Sequence, residues 1–371
     1  MIAEMPHLFT PLTLRGATLP NRVFVSPMCQ YSSEDGVATD WHLVNLGSFA
    51  VGGAGLVLCE ATAVTANGRI SPQDLGIWQD GHVEGLARLT RFVAEQGAVP
   101  GIQLAHAGRK ASTRRPWDGR GTVSPEEGGW LDVVGPSALA FNDHYPQPQA
   151  LTLDGIRAVV EAFADAAARA WDAGFRVAEV HAAHGYLLHQ FLSPISNRRD
   201  DDYGGTFENR CRLTLEVVRA VRRRWPDAAP LFVRVSATDW VEGGWHVDEC
   251  VDLARRLAAE GVDLVDCSSG GNASHQQIPV APGYQVPFAS RIRRDAGVPT
   301  GAVGLITDPQ QADEIVATGQ ADAVLLAREL LRDPHWPLRA AHALGHVVSW
   351  PAQYARAAAG TVPPRQPWTM R

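Results

Sequence analysis

The chain predicts an α/β fold, a closed parallel (β/α)8 TIM barrel, on three observations. Eight short apolar segments recur along its 371 residues, segments of helical period separate most of them, and the reactive side chains gather where the apolar segments end. Residues 8–21 alternate apolar and polar positions around Arg15-Gly16, the pattern of a small N-terminal hairpin that caps something larger. Strands are then expected at 22–28, 55–60, 99–104, 176–180, 231–235, 263–267, 299–303 and 323–327. Most are too apolar to alternate, as suits strands buried on both faces. Helical periodicity runs through 153–173, 209–225, 247–260 and 309–318. A doubly wound open sheet competes with the barrel, but its G-x-G-x-x-G fingerprint is absent. Gly52-Gly53-Ala54-Gly55 precedes a strand instead of joining strand to helix. Residues 106–150 break the even spacing, rich in Gly, Pro, Trp and Asp without clear period, and read as a lid insertion within one domain spanning 1–371.

With 45% hydrophobic and 20% charged residues the composition is that of an ordinary globular protein. A net charge of -7 with no basic block argues against nucleic acid or an anionic membrane as partner, and points to a small molecule. Cys29, Cys59, Cys211, Cys250 and Cys267 form no Cys-x-x-Cys pair and no metal-ligand spacing, and their odd number counts against a disulfide framework. No basic flank precedes an apolar run at the N-terminus and no stretch approaches 18 uninterrupted apolar residues, so a reducing cytoplasm is expected.

The organising stretch is residues 176–186, an apolar strand expected to end at Val180 and to deliver His181, His184 and Tyr186 just beyond it. Spacing of i, i+3 on a single turn would put both imidazoles on one face, where two donors converge on one oxygen. A phenol holds its proton at neutral pH and can give it up in a reaction. Taken alone, the pair reads equally as satisfied core histidines or as a metal site.

Working residues of such barrels sit at the carboxyl ends of the strands. The first strand here ends in Ser26-Pro27-Met28-Cys29, with Tyr31 after it; the second ends at Glu60-Ala61; the third reaches Gln103 and His106. The fourth carries the histidines and the fifth Arg234, the sixth runs into Ser268-Ser269-Gly270-Gly271, the seventh reaches Gly304, and the eighth meets Ala327-Arg328. Arg234 stands in an otherwise apolar segment, where an unpaired charge is expensive, so it needs an anionic partner.

With these residues in order, the chain resembles the old yellow enzyme family, and within it the thermophilic-like bacterial subgroup. Two long fingerprints carry the resemblance: His181-Ala182-Ala183-His184-Gly185-Tyr186-Leu187-Leu188-His189-Gln190-Phe191-Leu192-Ser193-Pro194, and Asn197-Arg198-Arg199-Asp200 through Tyr203-Gly204-Gly205-Thr206-Phe207-Glu208-Asn209-Arg210. It continues through Pro282-Gly283-Tyr284-Gln285 and Gly301-Ala302-Val303-Gly304 to Arg328-Glu329-Leu330-Leu331-Arg332-Asp333-Pro334, covering nearly the whole chain.

The resemblance implies an ene reductase with noncovalent FMN, reduced by NADPH or NADH and reoxidised by an activated alkene such as an unsaturated carbonyl compound, a maleimide or a nitroalkene. It implies that Ser26, Pro27, Met28, Ala61, Gln103, His181 and Arg234 bind the flavin ring, and that Gly304, Ala327 and Arg328 bind its phosphate. Many relatives carry glycine where Ala327 stands; alanine keeps the amide donor. Cys29, the subgroup's mark, would tune the flavin's potential. His181 and His184 would hold the substrate's oxygen, Tyr186 would protonate its α-carbon, and Tyr31 would add a donor at its far side.

The segment Pro351-Ala352-Gln353-Tyr354-Ala355-Arg356 matches one that crosses a dimer interface in this subgroup, so a homodimer or an oligomer of dimers is implied, with Arg356 in the neighbour's pocket. The C-terminal extension, residues 346–371, runs on past that arginine with Pro363, Pro364, Pro367 and Trp368. Competing readings are a dienoyl-CoA-reductase-like enzyme, a flavin carrier without activity, and a metal-dependent barrel hydrolase ligated by His181, His184 and either Glu179 or Asp266. Strand alternation is expected to point Glu179 away from the histidines, against that last reading.

Overall fold

The computed structural model describes residues 6–358 and 362–370. Eight parallel strands close into a barrel, in chain order β1 (Val23–Val25), β2 (Leu56–Ala63), β3 (Val99–Ala105), β4 (Val177–Ala182), β5 (Leu231–Ser236), β6 (Leu264–Ser268), β7 (Thr300–Ala302) and β8 (Ala323–Leu326). All eight were expected at these places. The difference that matters is β4, which continues through His181 and Ala182 instead of stopping at Val180.

Helices fill the gaps between strands. Those at Leu153–Asp172, Phe207–Arg224, Val247–Ala259 and Pro309–Ala317 match the expected periodicity. Three begin at a side-chain cap: Thr152 accepts from the Gly155 amide, Thr206 from Asn209, and Asp308 from Gln311 with Pro309 in the first turn. Further helices run over Asp40–Val51, Val83–Glu95, Val286–Ala296 and Trp336–Ala343.

The barrel interior is layered. Phe24, Leu56, Leu58, Val99, Val177, Phe232, Leu264, Ala323 and Leu325 fill its lower part with side chains from alternate positions. Leu14 and Leu19 cover that end from the hairpin Leu12–Leu14 and Ala17–Leu19, so the expected cap is present. The C-terminal extension reaches the same end. Trp368 packs on this cluster, its indole donating to the Thr18 carbonyl at 2.9 Å and its amide to Ala94 at 2.8 Å. Arg365 donates to the carbonyls of Ala50, Val51, Gln96 and Ser349, three of them at the C-terminal ends of helices Asp40–Val51 and Val83–Glu95, where a cation is favoured. No helix among the described residues is long and apolar enough to cross a membrane.

Candidate active site

Above the apolar layer, at the carboxyl end of the strands, the interior turns polar. Gln103, Glu179, Arg234 and Asp266 come from four consecutive strands, with Gln103 beside Glu179 and Arg234 beside Asp266 in register. Gln103 donates to Glu179 Oε1 at 2.8 Å. Arg234 Nε lies 2.8 Å from Asp266 Oδ2, an ion pair that supplies the anionic partner its sequence environment demanded. Burial pushes both carboxyl groups above their ordinary range, and each is drawn back by Arg234. Glu179 was expected to point away from the histidines. The structure corrects this, because positions 179 and 181 are two apart on one strand and so share the inward face.

His181 ends the inward row of β4. His184 follows in the left-handed region at φ 59 and Gly185 at φ 72, so the imidazoles are not stacked by a helical turn as expected; a tight reversal brings them together. His184 Nδ1 faces His181 Nε2 at 3.4 Å, and their rings stand 5.1 Å apart. The neighbouring strands fix this turn. The His184 amide donates to Ser236 Oγ at 2.9 Å, and His184 Nε2 meets Ser268 Oγ at 2.7 Å. Gly271 is required beside it, since a Cβ there would stand 2.5 Å from the His184 Cα. Lys110, in the segment after β3, donates to the His184 carbonyl at 2.8 Å and also to that of Gly271, tying this segment to the turn.

Tyr186 lies with its ring 5.1 Å from that of His181 and packs against the cluster of Ala107, Ala111 and Val133, which Ile70 and Trp130 also cover. Burial holds both imidazoles well below 6.5, helped by Arg234, and raises the phenol well above 10. At neutral pH the site therefore presents neutral imidazoles and a protonated phenol.

The first two strands add the remaining wall. Ser26 is buried, Pro27, Met28 and Cys29 are half-buried, and burial with nearby Asp74 and Glu60 raises the Cys29 thiol, so it is held protonated. Tyr31, at φ 49, meets Trp117 of the lid edge-on at 5.8 Å. A bulge in β2 changes the pairing phase, so that Ala61 and not Glu60 aligns with Gln103. Glu60 instead accepts from the Gln30 amide at 3.0 Å and lies 3.7 Å from His42. Burial raises Glu60 to about 8 and Asp74 to about 7. Asp74 and Tyr186 line one small cavity. Glu60, Asp74, Lys110 and Ser268 had no assigned role in the sequence reading; Glu60 carried a signal, a lone acid within an apolar strand, as Arg234 did.

On the far side Gly304 stands at φ 126 and Ala327 precedes a five-residue helix, Arg328–Arg332. Arg328 is exposed, with no ion-pair partner among the described residues. Arg356 is also exposed, on the turn Ala352–Ala357, and no hydrogen bond or ion pair among the described residues ties it to the barrel mouth.

A closed α/β barrel with neutral donors, a phenol and a buried arginine gathered at its carboxyl rim is the architecture of a flavin-dependent oxidoreductase. Residues 7–346 match the model of the NADH:flavin oxidoreductase / NADH oxidase family, and the chain belongs to that family, the old yellow enzymes. It is 50% identical over 351 residues to an NADPH dehydrogenase of Geobacillus thermodenitrificans (strain NG80-2), covering 94% of this chain and 98% of that protein. Among solved structures it superposes on morphinone reductase in complex with tetrahydroNAD with a TM-score of 0.75 and 30% identity, covering 93% of each chain. The old yellow enzyme homologue of Zymomonas mobilis gives a TM-score of 0.74 at 26% identity, covering 90% of this chain and 92% of that one.

The protein is thus an FMN-dependent NADPH dehydrogenase of the old yellow enzyme family, with FMN and NAD(P)H as cofactors. Its residues fit the flavin: Ser26 Oγ and His181 Nδ1 are buried without a partner among the described residues, and Gly304 leaves backbone room that a Cβ would close against Gln285 Nε2 at 3.1 Å.

Proposed function

We propose that this oxidoreductase reduces the C=C bond of activated alkenes, namely α,β-unsaturated carbonyl compounds, maleimides and nitroalkenes. The observation that carries the proposal is the facing pair, His181 Nε2 and His184 Nδ1 3.4 Å apart, beside a protonated Tyr186. These two facing nitrogens can each donate to a carbonyl or nitro oxygen that enters between them, and they would then stabilise the negative charge that grows there as the β-carbon is reduced. A Ser268 hydroxyl turned to donate to His184 Nε2, 2.7 Å away, would leave the ring proton on Nδ1, the atom that faces His181. Tyr186 then delivers its phenolic proton to the α-carbon. Tyr31 adds a donor on the side closed by Trp117.

FMN held here would supply the redox chemistry, hydride passing from NADPH or NADH to the alkene. Ser26, Pro27, Met28, Ala61, Gln103, His181 and Arg234 would hold its ring, and Gly304, Ala327 and Arg328 its phosphate. Cys29 sits in this wall as a thiol and adjusts the potential. Support for the phosphate role is the free, exposed guanidinium of Arg328 following the backbone turn at Ala327. We assign the chain to a homodimer in which Arg356 serves the neighbouring pocket; its exposure and lack of ties to its own barrel mouth support that reading. The metal-hydrolase reading has no place in a member of this family.

The test is optical. The yellow protein should bleach with NADPH under anaerobic conditions and recover its colour on adding cyclohexenone or N-ethylmaleimide. Recovery with oxygen but with no alkene of a broad panel would overturn the substrate class while leaving the dehydrogenase activity intact.

A further inference from the structure

Two buried carboxyl groups in the barrel mouth have no part in the mechanism above. Glu179 and Asp266 lie on inward positions of β4 and β6, both fully inaccessible, and share one cation, Arg234 on the strand between them. Arg234 is turned to Asp266. Glu179 makes a different contact, accepting from the Gln103 amide through Oε1, while its Oε2 has no hydrogen-bond partner among the described residues. The groups facing Glu179 are therefore Gln103 on β3, Arg234 on β5, Asp266 on β6 and, two positions along its own strand, His181.

We propose that Glu179 is a positioning residue for the flavin: it sets which end of the Gln103 amide faces the ring and how much of Arg234's charge the ring feels. This rests on the reading above that Gln103 and Arg234 hold the flavin ring. An ionised Glu179 can only accept, so it holds the Gln103 NH2 toward itself and leaves the amide oxygen free. A protonated Glu179 can donate instead, and the amide can turn to offer its NH2 to the ring. The same proton changes the field. With both carboxylates ionised the quartet carries one net negative charge beneath the mouth, and with one protonated it is neutral. In a dry interior that difference acts directly on electron uptake by the ring. Asp266 does not share the contact to Gln103: its Oδ2 faces Arg234 Nε at 2.8 Å, and no hydrogen bond among the described residues joins it to that amide.

The test measures the two-electron midpoint potential of the holoprotein against pH, for the wild type and Glu179→Gln. The glutamine keeps a hydrogen-bonding partner for Gln103 but never carries charge. Expected is equal potential at pH 6 and, at pH 9, a shift toward the reduced flavin of at least about tenfold in the variant, about 30 mV for a two-electron couple. A difference that is absent, or the same at both pH values, overturns the inference. Redox-difference infrared spectra of the wild type need no variant: a carboxyl band perturbed by flavin reduction supports the proposal and its absence overturns it. Gln103→Leu separates the two layers. If that substitution leaves both FMN affinity and potential unchanged, the placement of Gln103 at the flavin is wrong; if it changes them while Glu179→Gln does nothing, only the role of Glu179 falls.

Discussion

Replacing Tyr186 by phenylalanine removes one oxygen and should divide the catalytic cycle in two. The ring keeps its packing against Ala107, Ala111 and Val133, and no described residue hydrogen-bonds the hydroxyl, so the fold loses almost nothing, within about 0.5 kcal/mol. Flavin reduction by NADPH calls for no proton from Tyr186 and should stay within about twofold of the wild type. Alkene reduction loses a positioned general acid, a factor of roughly 10² to 10⁴, or about 3 to 5 kcal/mol in the barrier. Burial keeps the phenol protonated far above neutrality, so the wild-type oxidative rate should show no loss of this acid up to pH 9. Anaerobic stopped-flow absorbance of the flavin measures the halves separately, by mixing oxidised protein with NADPH and reduced protein with an enone. Equal slowing of both halves, or an unchanged oxidative half, would refute the assignment of Tyr186 as proton donor.

Replacing both His181 and His184 by alanine should weaken binding of a phenolic ligand by about 30- to 100-fold, the worth of two neutral hydrogen bonds, as read by titration of the flavin spectrum; unchanged affinity would remove the donor pair. Arg365→Ala should lower stability by about 3 kcal/mol in urea unfolding, because four carbonyls lose one charged donor, while FMN content is retained since the mouth lies at the other end of the barrel. Loss of FMN without loss of stability would contradict that picture. The pH dependence of apoprotein stability has a defined sign above pH 6.5. Glu60 at about 8 and Asp74 at about 7 keep protons in the folded state that the unfolded chain releases near 4, so stability falls as pH rises. Glu179, also at about 8, adds to the loss, and Lys110, lowered to about 7, opposes it above that pH; between pH 6.5 and 8 the net loss should be about 3 kcal/mol, three groups contributing up to 7 and two against one beyond it. His42 and His106, lowered to about 4, act in the opposite sense and only below 6.5, where the unfolded chain takes up protons that the folded one refuses. Stability that rises between pH 6.5 and 8 would show these carboxyl groups to be ionised in the fold.

The barrel was legible because parallel strands buried on both faces leave unbroken apolar runs, and the helices between Leu153 and Ala317 because each buries one stripe. The end of β4 was not. A sequence reading closes a strand where apolar residues stop, yet in a barrel mouth the inward row simply changes from Val177 to Glu179 to His181 while the ladder continues. The same change of layer hid Glu179, whose orientation was misjudged although its parity with His181 was readable. Glu60 stood out as a lone acid, but its direction was out of reach, since a bulge re-aims it and no residue pattern announces that bulge. Arg365 and Trp368 answer to the carbonyls of Ala50, Gln96 and Thr18, hundreds of residues away, which exist as a docking surface only after the barrel closes.

Burial acts on the mouth in one direction. It lowers His181 and His184, raises Tyr186, Cys29, Glu60, Asp74 and Glu179, and so drives each toward its uncharged form. What remains charged and inward is Arg234 with its partner Asp266. A site arranged this way has little countercharge of its own to lose when a negative charge appears on substrate or cofactor, and its donors already point inward before that charge exists. Replacing His181 by a permanently charged arginine would therefore cost more than its bulk suggests, because it would place a second cation beside Arg234, adjacent across β4 and β5 in register.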